Sequence, residues 1–191
     1  MYETERDPYC YSGIATLRNK AGITDSKALE RFETAMTFAR SEEPLPVGRL
    51  SVRHYCRVHL HLFQDVYTWA GRFRTVRLSK GSSAFCYPEH IAREMQRVFG
   101  WLQEKHFLRD RERRAFARAA AHFLAELNAI HPFREGNGRT QLTFMALLAE
   151  QAGHTLDFDR LDPEAMLDAM IKSFNANEEP LAHVITDLIA R

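Results

Sequence analysis

His131-Pro132-Phe133-Arg134-Glu135-Gly136-Asn137-Gly138-Arg139-Thr140 is a polar stretch between two apolar runs, and the reading of those runs decides the fold. Upstream, Phe116, Ala120, Phe123, Leu127 and Ile130 recur at steps of three and four, the period of a helix with one buried stripe. Downstream, Leu142 to Ala149 is apolar almost all round, as in a helix surrounded by protein. The stretch is therefore a polar loop joining two core helices. His131 precedes proline, which disfavours helical backbone, so the histidine is expected where the incoming helix ends.

Outward from the loop the helical period continues. With Thr24 or Ser26 as cap, Leu29, Phe32, Ala35, Met36 and Ala39 predict a first helix that stops at the Glu43-Pro44-Leu45-Pro46 break. Ser51 caps a second, whose stripe Val52, Tyr55, Cys56, His59, Leu62, Phe63 and Val66 runs to about Trp69 before Gly71. Pro88 opens a third to about Leu102, and Asp110 opens the helix that delivers the chain to His131. Gly153 stops the helix after the loop. Asp162-Pro163-Glu164 starts another with cap, proline and first-turn acid, and Pro180 starts a last one ending at Ile189. Between Gly71 and Pro88 the period changes. Thr75-Val76-Arg77-Leu78-Ser79 alternates as a strand does, Lys80-Gly81-Ser82-Ser83 makes a turn, and Ala84-Phe85-Cys86-Tyr87 returns. The expected architecture is all-α: one helical bundle over residues 1–191 carrying a small β-hairpin. An exposed hairpin edge suits pairing with an extended segment of a partner.

The chain of 191 residues fits one buried core. Its formal charge is only +1, but residues 49–118 hold 15 Lys/Arg against 6 Asp/Glu, and residues 141–191 hold 3 against 9. The basic middle suits a nucleotide or an acidic protein and does not require nucleic-acid binding. Cys10, Cys56 and Cys86 are odd in number and far apart, which points to a reducing, cytoplasmic setting. No apolar run approaches the length of a membrane span, and the N-terminal residues carry charges where a signal peptide needs an apolar segment, so a soluble protein is expected. His54, His59 and His61 lack the spacing of a helical metal site and are read as packing or surface residues.

The loop itself carries chemistry. Imidazole is the side chain suited to proton transfer near neutral pH, so His131 is a candidate general base. Gly136-Asn137-Gly138 sets two residues without side chains just before a helix, where unpaired N–H groups and the helix dipole favour a phosphate. Arg139 in the first helical turn opposes that dipole unless an anion neutralises it. Glu135 would repel the same phosphate unless it holds Mg²⁺. The familiar glycine-rich nucleotide motifs are absent, with Gln141 where a third glycine would stand. The residues alone leave two readings open: a metal-assisted phosphate site with a histidine base, or a structural turn.

His131 to Arg139 resembles the signature of the Fic family, His-x-Phe-x-[Asp/Glu]-Gly-Asn-Gly-Arg-x-x-Arg. Asp7-Pro8-Tyr9, Leu17-Arg18-Asn19-Lys20 and Val66-Tyr67-Thr68-Trp69-Ala70-Gly71 extend the likeness towards bacterial toxins and effectors. The resemblance implies a Fic-type helical fold that transfers AMP from ATP to a hydroxyl side chain of another protein. It gives His131 the role of base, Phe133 that of an anchor in the core, and Glu135 that of Mg²⁺ ligand. Gly136, Asn137 and Gly138 become the anion hole for the α- and β-phosphates, and Arg139 the β-phosphate ligand. The hairpin becomes a flap at about 73–87 that holds the target in register, with Thr75, Val76, Arg77, Leu78, Phe85 and Cys86 as its binding residues.

One residue departs from the signature: its second arginine should fall at position 142, which is leucine. Weaker ATP holding, weaker autoinhibition or another donor would follow. The inhibitory motif [Ser/Thr]-x-x-x-Glu-[Gly/Asn] is nearly met at Ser26 to Glu30, but Arg31 follows. A separate antitoxin carrying that helix is therefore expected, as in FicT-type toxins that modify the ATPase subunits of DNA gyrase and topoisomerase IV. The alternatives are a secreted effector domain modifying a host GTPase, a Doc-like kinase, and a binding module silenced by Leu142.

Overall fold

The computed structural model describes residues 7–80 and 83–190. Seven helices follow in chain order: α1 (Ser26–Ser41), α2 (Val52–Phe63), α3 (Pro88–Glu104), α4 (Arg113–Ile130), α5 (Asn137–Gln151), α6 (Pro163–Phe174) and α7 (Glu179–Leu188). A two-stranded antiparallel hairpin, β1 (Ser79–Lys80) and β2 (Ser83–Ala84), lies between α2 and α3. The mostly helical fold expected from the periodicity is present.

Helix α4 is the axis of the bundle, packing against α7, α3, α5 and α6. Its small buried residues Ala117, Ala120, Ala121 and Ala125 let neighbouring helices come close, while Phe116, Phe123, Leu124 and Leu127 fill the space between them. Helix α5 returns alongside α4 and α2, burying Phe144, Met145, Leu148 and Ala149. Both helices flanking the polar loop are thus held in the core, and the loop is fixed at their junction.

Several boundaries differ from the sequence reading. Asp25 caps α1, its carboxylate accepting from Ala28 N–H at 2.8 Å, in place of Thr24 or Ser26. Helix α2 begins after Ser51 as expected but ends at Phe63 instead of about Trp69. Residues 64–71 continue as turns that still bury Val66, Tyr67, Trp69 and Ala70, so the apolar period outlasted the helix. Glu112, not Asp110, caps α4, accepting from the N–H groups of Arg114 and Ala115.

The hairpin is shorter than predicted. Ladder pairing is confined to Ser79 with Ala84 and Lys80 with Ser83, extended by Phe85 N–H to the Leu78 carbonyl at 3.1 Å. Thr75 to Leu78 and Phe85 to Tyr87 are not strand. The centre of the expected turn, Gly81 and Ser82, lies outside the described residues. The physical reason for the short ladder is competition: the carbonyls of Val76 and Cys86 accept from the Arg74 guanidinium, and Thr75 N–H donates to the Tyr9 hydroxyl.

Among the described residues no helix is long and apolar enough to cross a membrane. The three histidines of α2 and its end are bound to main chain: His54 lies between Pro46 O and Leu50 N–H, His59 between Glu135 O and Gly71 N–H, and His61 against Arg40 O.

Candidate active site

The loop is held from inside by one amide. Asn137 is 2% exposed, and its side chain closes on Phe133, accepting from the N–H at 2.9 Å and donating to the carbonyl at 2.8 Å. What Asn137 can offer a ligand is therefore its main-chain N–H, not its amide group. Phe133 is fully buried, stacked on His59 with ring centroids 3.8 Å apart and on Tyr55 at 5.5 Å. Arg134 pins the N-terminal segment by directing Nε and Nη2 at one carboxylate oxygen of Asp7.

Gly136 caps α5 in left-handed conformation, φ +79°, and a Cβ there would lie 2.2 Å from the Phe63 ring. Glycine is required by both backbone and space. It leaves the first turn of α5 without a side-chain cap, its N–H groups pointing out of the helix start. Glu135 stands exposed beside it, its carboxylate accepting from Gly136 N–H at 2.9 Å.

His131 ends α4 in left-handed conformation, φ 49° and ψ 62°, with its N–H still bonded to Leu127 O at 2.9 Å. The imidazole stacks on Phe85, centroids 3.9 Å apart and planes 15° from parallel, and Phe85 in turn meets Phe174 edge-on. These residues line a pocket of about 670 Å³ together with Asn128, Glu135, Asn137, Gly138, Gln141 and Leu142. Met166, Leu167, Met170 and Ile171 of α6 form an apolar wall opposite.

Arg139 does not face that pocket. Its guanidinium is turned towards α1, where it pairs with Glu33, donates to the Thr37 hydroxyl at 3.1 Å and lies 4.8 Å over the Phe63 ring. Tyr67 donates its hydroxyl to the other oxygen of Glu33, and burial with the adjoining carboxylate pushes the Tyr67 phenol far above its ordinary range. Arg139 and Glu33 line a second groove of about 790 Å³ between α1 and α5. Glu135 and Leu142 border both spaces, so the two adjoin at the loop.

The structure thus brings His131, Glu135, Asn137 and Gly138 together, places Arg139 on the adjoining groove, and keeps Gly136 and Phe133 as buried supports. Of the flap residues only Phe85 lines the pocket; Thr75 and Arg77 are exposed, and Arg77 stacks over Tyr87 at 4.4 Å. Sequence reasoning missed Glu33, Thr37, Tyr67 and Arg74; His59, expected as a packing or surface residue, is a packing residue stacked on Phe63 and Phe133. Glu33 lies off the apolar stripe that marks α1 in the sequence, yet it is 8% exposed. A carboxylate next to apolar residues on an inward stripe was the available signal.

The Fic/DOC family model matches residues 49–149, more than half of the chain and including the whole of this loop. The chain belongs to the Fic/DOC family. It is 50% identical over 189 residues to "Probable protein adenylyltransferase y4lH" of Sinorhizobium fredii, covering 98% of each chain. It is 36% identical over 190 residues to "Protein adenylyltransferase VbhT" of Bartonella schoenbuchensis, covering 96% of this chain and 39% of that protein. Among solved Fic structures, BepC of Bartonella tribocorum with bound AMPPNP superposes with a TM-score of 0.86 at 27% identity, covering 95% of this chain and 96% of that one. A Fic domain of Bartonella quintana with bound ADP also gives 0.86, at 30% identity, covering 95% and 94%. These relatives put the chain among the Fic-type protein adenylyltransferases.

Proposed function

We propose that this Fic protein transfers AMP from ATP to a hydroxyl side chain of another protein, with His131 as base and the start of α5 as the phosphate cradle. The observation that carries the reading is Gly138. It adopts helical backbone and a Cβ there would meet nothing within 4 Å, so neither conformation nor packing asks for glycine. A close approach of ligand to main chain does.

In this reading the nucleotide lies across the two adjoining spaces. Its base and ribose take the apolar wall of α6, its α-phosphate sits at the N–H groups of α5 beside His131, and its outer phosphates extend towards Arg139. The target hydroxyl oxygen bonds to the α-phosphorus, the bond from that phosphorus to the bridging oxygen breaks, and pyrophosphate leaves with the electron pair. The hydroxyl proton passes to the imidazole of His131.

Glu135 fits Mg²⁺ in a limited sense. Among the described residues no cluster of three His, Cys, Asp or Glu side chains is present, so the protein offers one exposed carboxylate beside the cradle. Mg²⁺ accepts such a set when phosphate oxygens and waters complete its shell. Bound there, the ion would offset charge on the phosphates.

The proposed setting is a cytoplasmic toxin whose targets are the ATPase subunits of DNA gyrase and topoisomerase IV. A small separate antitoxin is the proposed partner. The groove between α1 and α5 supports this: it is open beside Arg139, and Phe38 at its edge is 66% exposed.

Incubation with those subunits and with α- or γ-labelled ATP tests the reaction. Transfer of α-label alone is expected; transfer of γ-label alone would indicate a kinase. His131→Ala should abolish transfer while leaving the circular dichroism spectrum unchanged, and retained transfer would remove His131 from the role of base. Absence of any neighbouring reading frame with the inhibitory motif would count against the antitoxin.

A further inference from the structure

Arg74 is 2% exposed, and its guanidinium binds no carboxylate among the described residues. It binds carbonyls from two separate parts of the site. Nε donates to His131 O at 2.8 Å and Nη2 to Ile130 O at 3.2 Å, at the end of α4. Nη1 donates to Val76 O and Nη2 to Cys86 O, both at 2.6 Å, at the two roots of the hairpin. Main-chain bonds run alongside: Arg74 N–H to Pro132 O at 2.9 Å and Cys86 N–H to Ala129 O at 3.1 Å. Burial lowers the guanidinium below its usual basicity, but the group remains a cation.

A buried charge without a counter-ion needs another source of negative potential. The last carbonyls of a helix supply it, being both unpaired and at the negative end of the dipole. The same contact acts on His131, a non-glycine residue in left-handed backbone, a conformation that persists only when its surroundings impose it. The planar fork, with donors on several edges, can hold carbonyls from both segments at once; the compact ammonium of lysine cannot reproduce that geometry.

We propose that Arg74 is a positioning residue that fixes the flap to the catalytic histidine, so that the hydroxyl presented by the flap and the imidazole that receives its proton are set by one guanidinium. This rests on the proposed transfer to a protein hydroxyl. Arg74 lines neither the nucleotide pocket nor the groove at Arg139, so its effect should fall on the target and on the chemical step, not on ATP.

The test uses Arg74→Lys in the full chain, with α-labelled ATP and the gyrase ATPase subunit. We expect kcat to fall and the KM for the subunit to rise by about tenfold each, with the KM for ATP within about twofold of the unaltered protein. A purely structural role would lower kcat in proportion to the folded fraction and leave both KM values in place, and that result would overturn the proposal. Amide exchange on the unaltered protein provides a measurement that needs neither a variant nor a target. The Arg74 and Cys86 amides should be protected and should open together; independent or rapid exchange would likewise overturn it. If the unaltered protein fails to modify the subunit, the target assignment fails, while amide exchange compared between the unaltered protein and Arg74→Lys still decides the role of the guanidinium: faster exchange at Cys86 in the variant is expected, and unchanged exchange would overturn the proposal.

Discussion

Gly136 and Gly138 stand two residues apart and are glycine for different reasons. At Gly136 a methyl group would collide with the Phe63 ring, and the backbone has positive φ. At Gly138 there is room and ordinary helical backbone. Gly138→Ala should therefore stabilise the fold by about 0.5–1 kcal/mol, the usual helical gain of alanine over glycine, while weakening ATP binding. Urea unfolding and calorimetric titration on the same variant check both signs; unchanged ATP affinity would mean that no phosphate approaches this residue. Glu33 is the second residue-scale determinant. It holds the Arg139 guanidinium and offsets its charge, so Glu33→Gln, which keeps the shape and one of the two acceptor oxygens while removing the charge, should tighten ATP binding several-fold, on the order of 1 kcal/mol. Weaker binding in that variant would mean that Glu33 serves chiefly to orient the arginine. The sequence displayed the glycines and Arg139 openly, but the pairing of Glu33 with a residue on another helix could not be read from a single strip of chain.

Helix α5 explains why Leu142 matters. It lies one turn after Arg139, is partly buried against the core, and borders both the pocket and the groove. An arginine there can lay its methylenes where leucine now packs and extend its charge into the open groove. Leu142→Arg is expected to raise ATP affinity and transfer rate, read from the KM for ATP and from kcat; no change in either would show that the nucleotide does not reach this face. At the same scale the hairpin departs most from its sequence pattern. Alternation at Thr75–Ser79 predicts a strand, but the carbonyl of Val76 is taken by Arg74, and the ladder begins only at Ser79. Alternation reports which side chains can face inward; it does not report where the main-chain hydrogen bonds go.

At the scale of the whole molecule, His59 links the loop to the body of the protein. It is fully buried, its Nε2 faces the Glu135 carbonyl at 3.0 Å, and its Nδ1 accepts from Gly71 N–H at 2.8 Å, which makes Nε2 the protonated nitrogen. Burial lowers its pKa from 6.5 to about 4. The unfolded chain therefore binds a proton between those values that the folded chain refuses. This contribution to stability is complete above pH 6.5 and is lost as pH falls towards 4, in total on the order of 3 kcal/mol. Urea unfolding of the protein and of His59→Gln at pH 7 and pH 5 should show a smaller loss in the variant; equal losses would mean that other groups govern the acid dependence.

The sequence by itself determined the helical class, most helix starts, the polar loop between two core helices, and the residue types from which a phosphate site can be built. Those are local properties: apolar periodicity, capping residues, glycine and proline. Only the tertiary structure decided that Arg139 turns from the His131 pocket towards Glu33, that the Asn137 side chain serves the loop itself, and that Arg74 joins the flap to the histidine. Each of these depends on groups distant in the chain that meet only after packing, and on competition for hydrogen-bond partners that spacing alone does not encode.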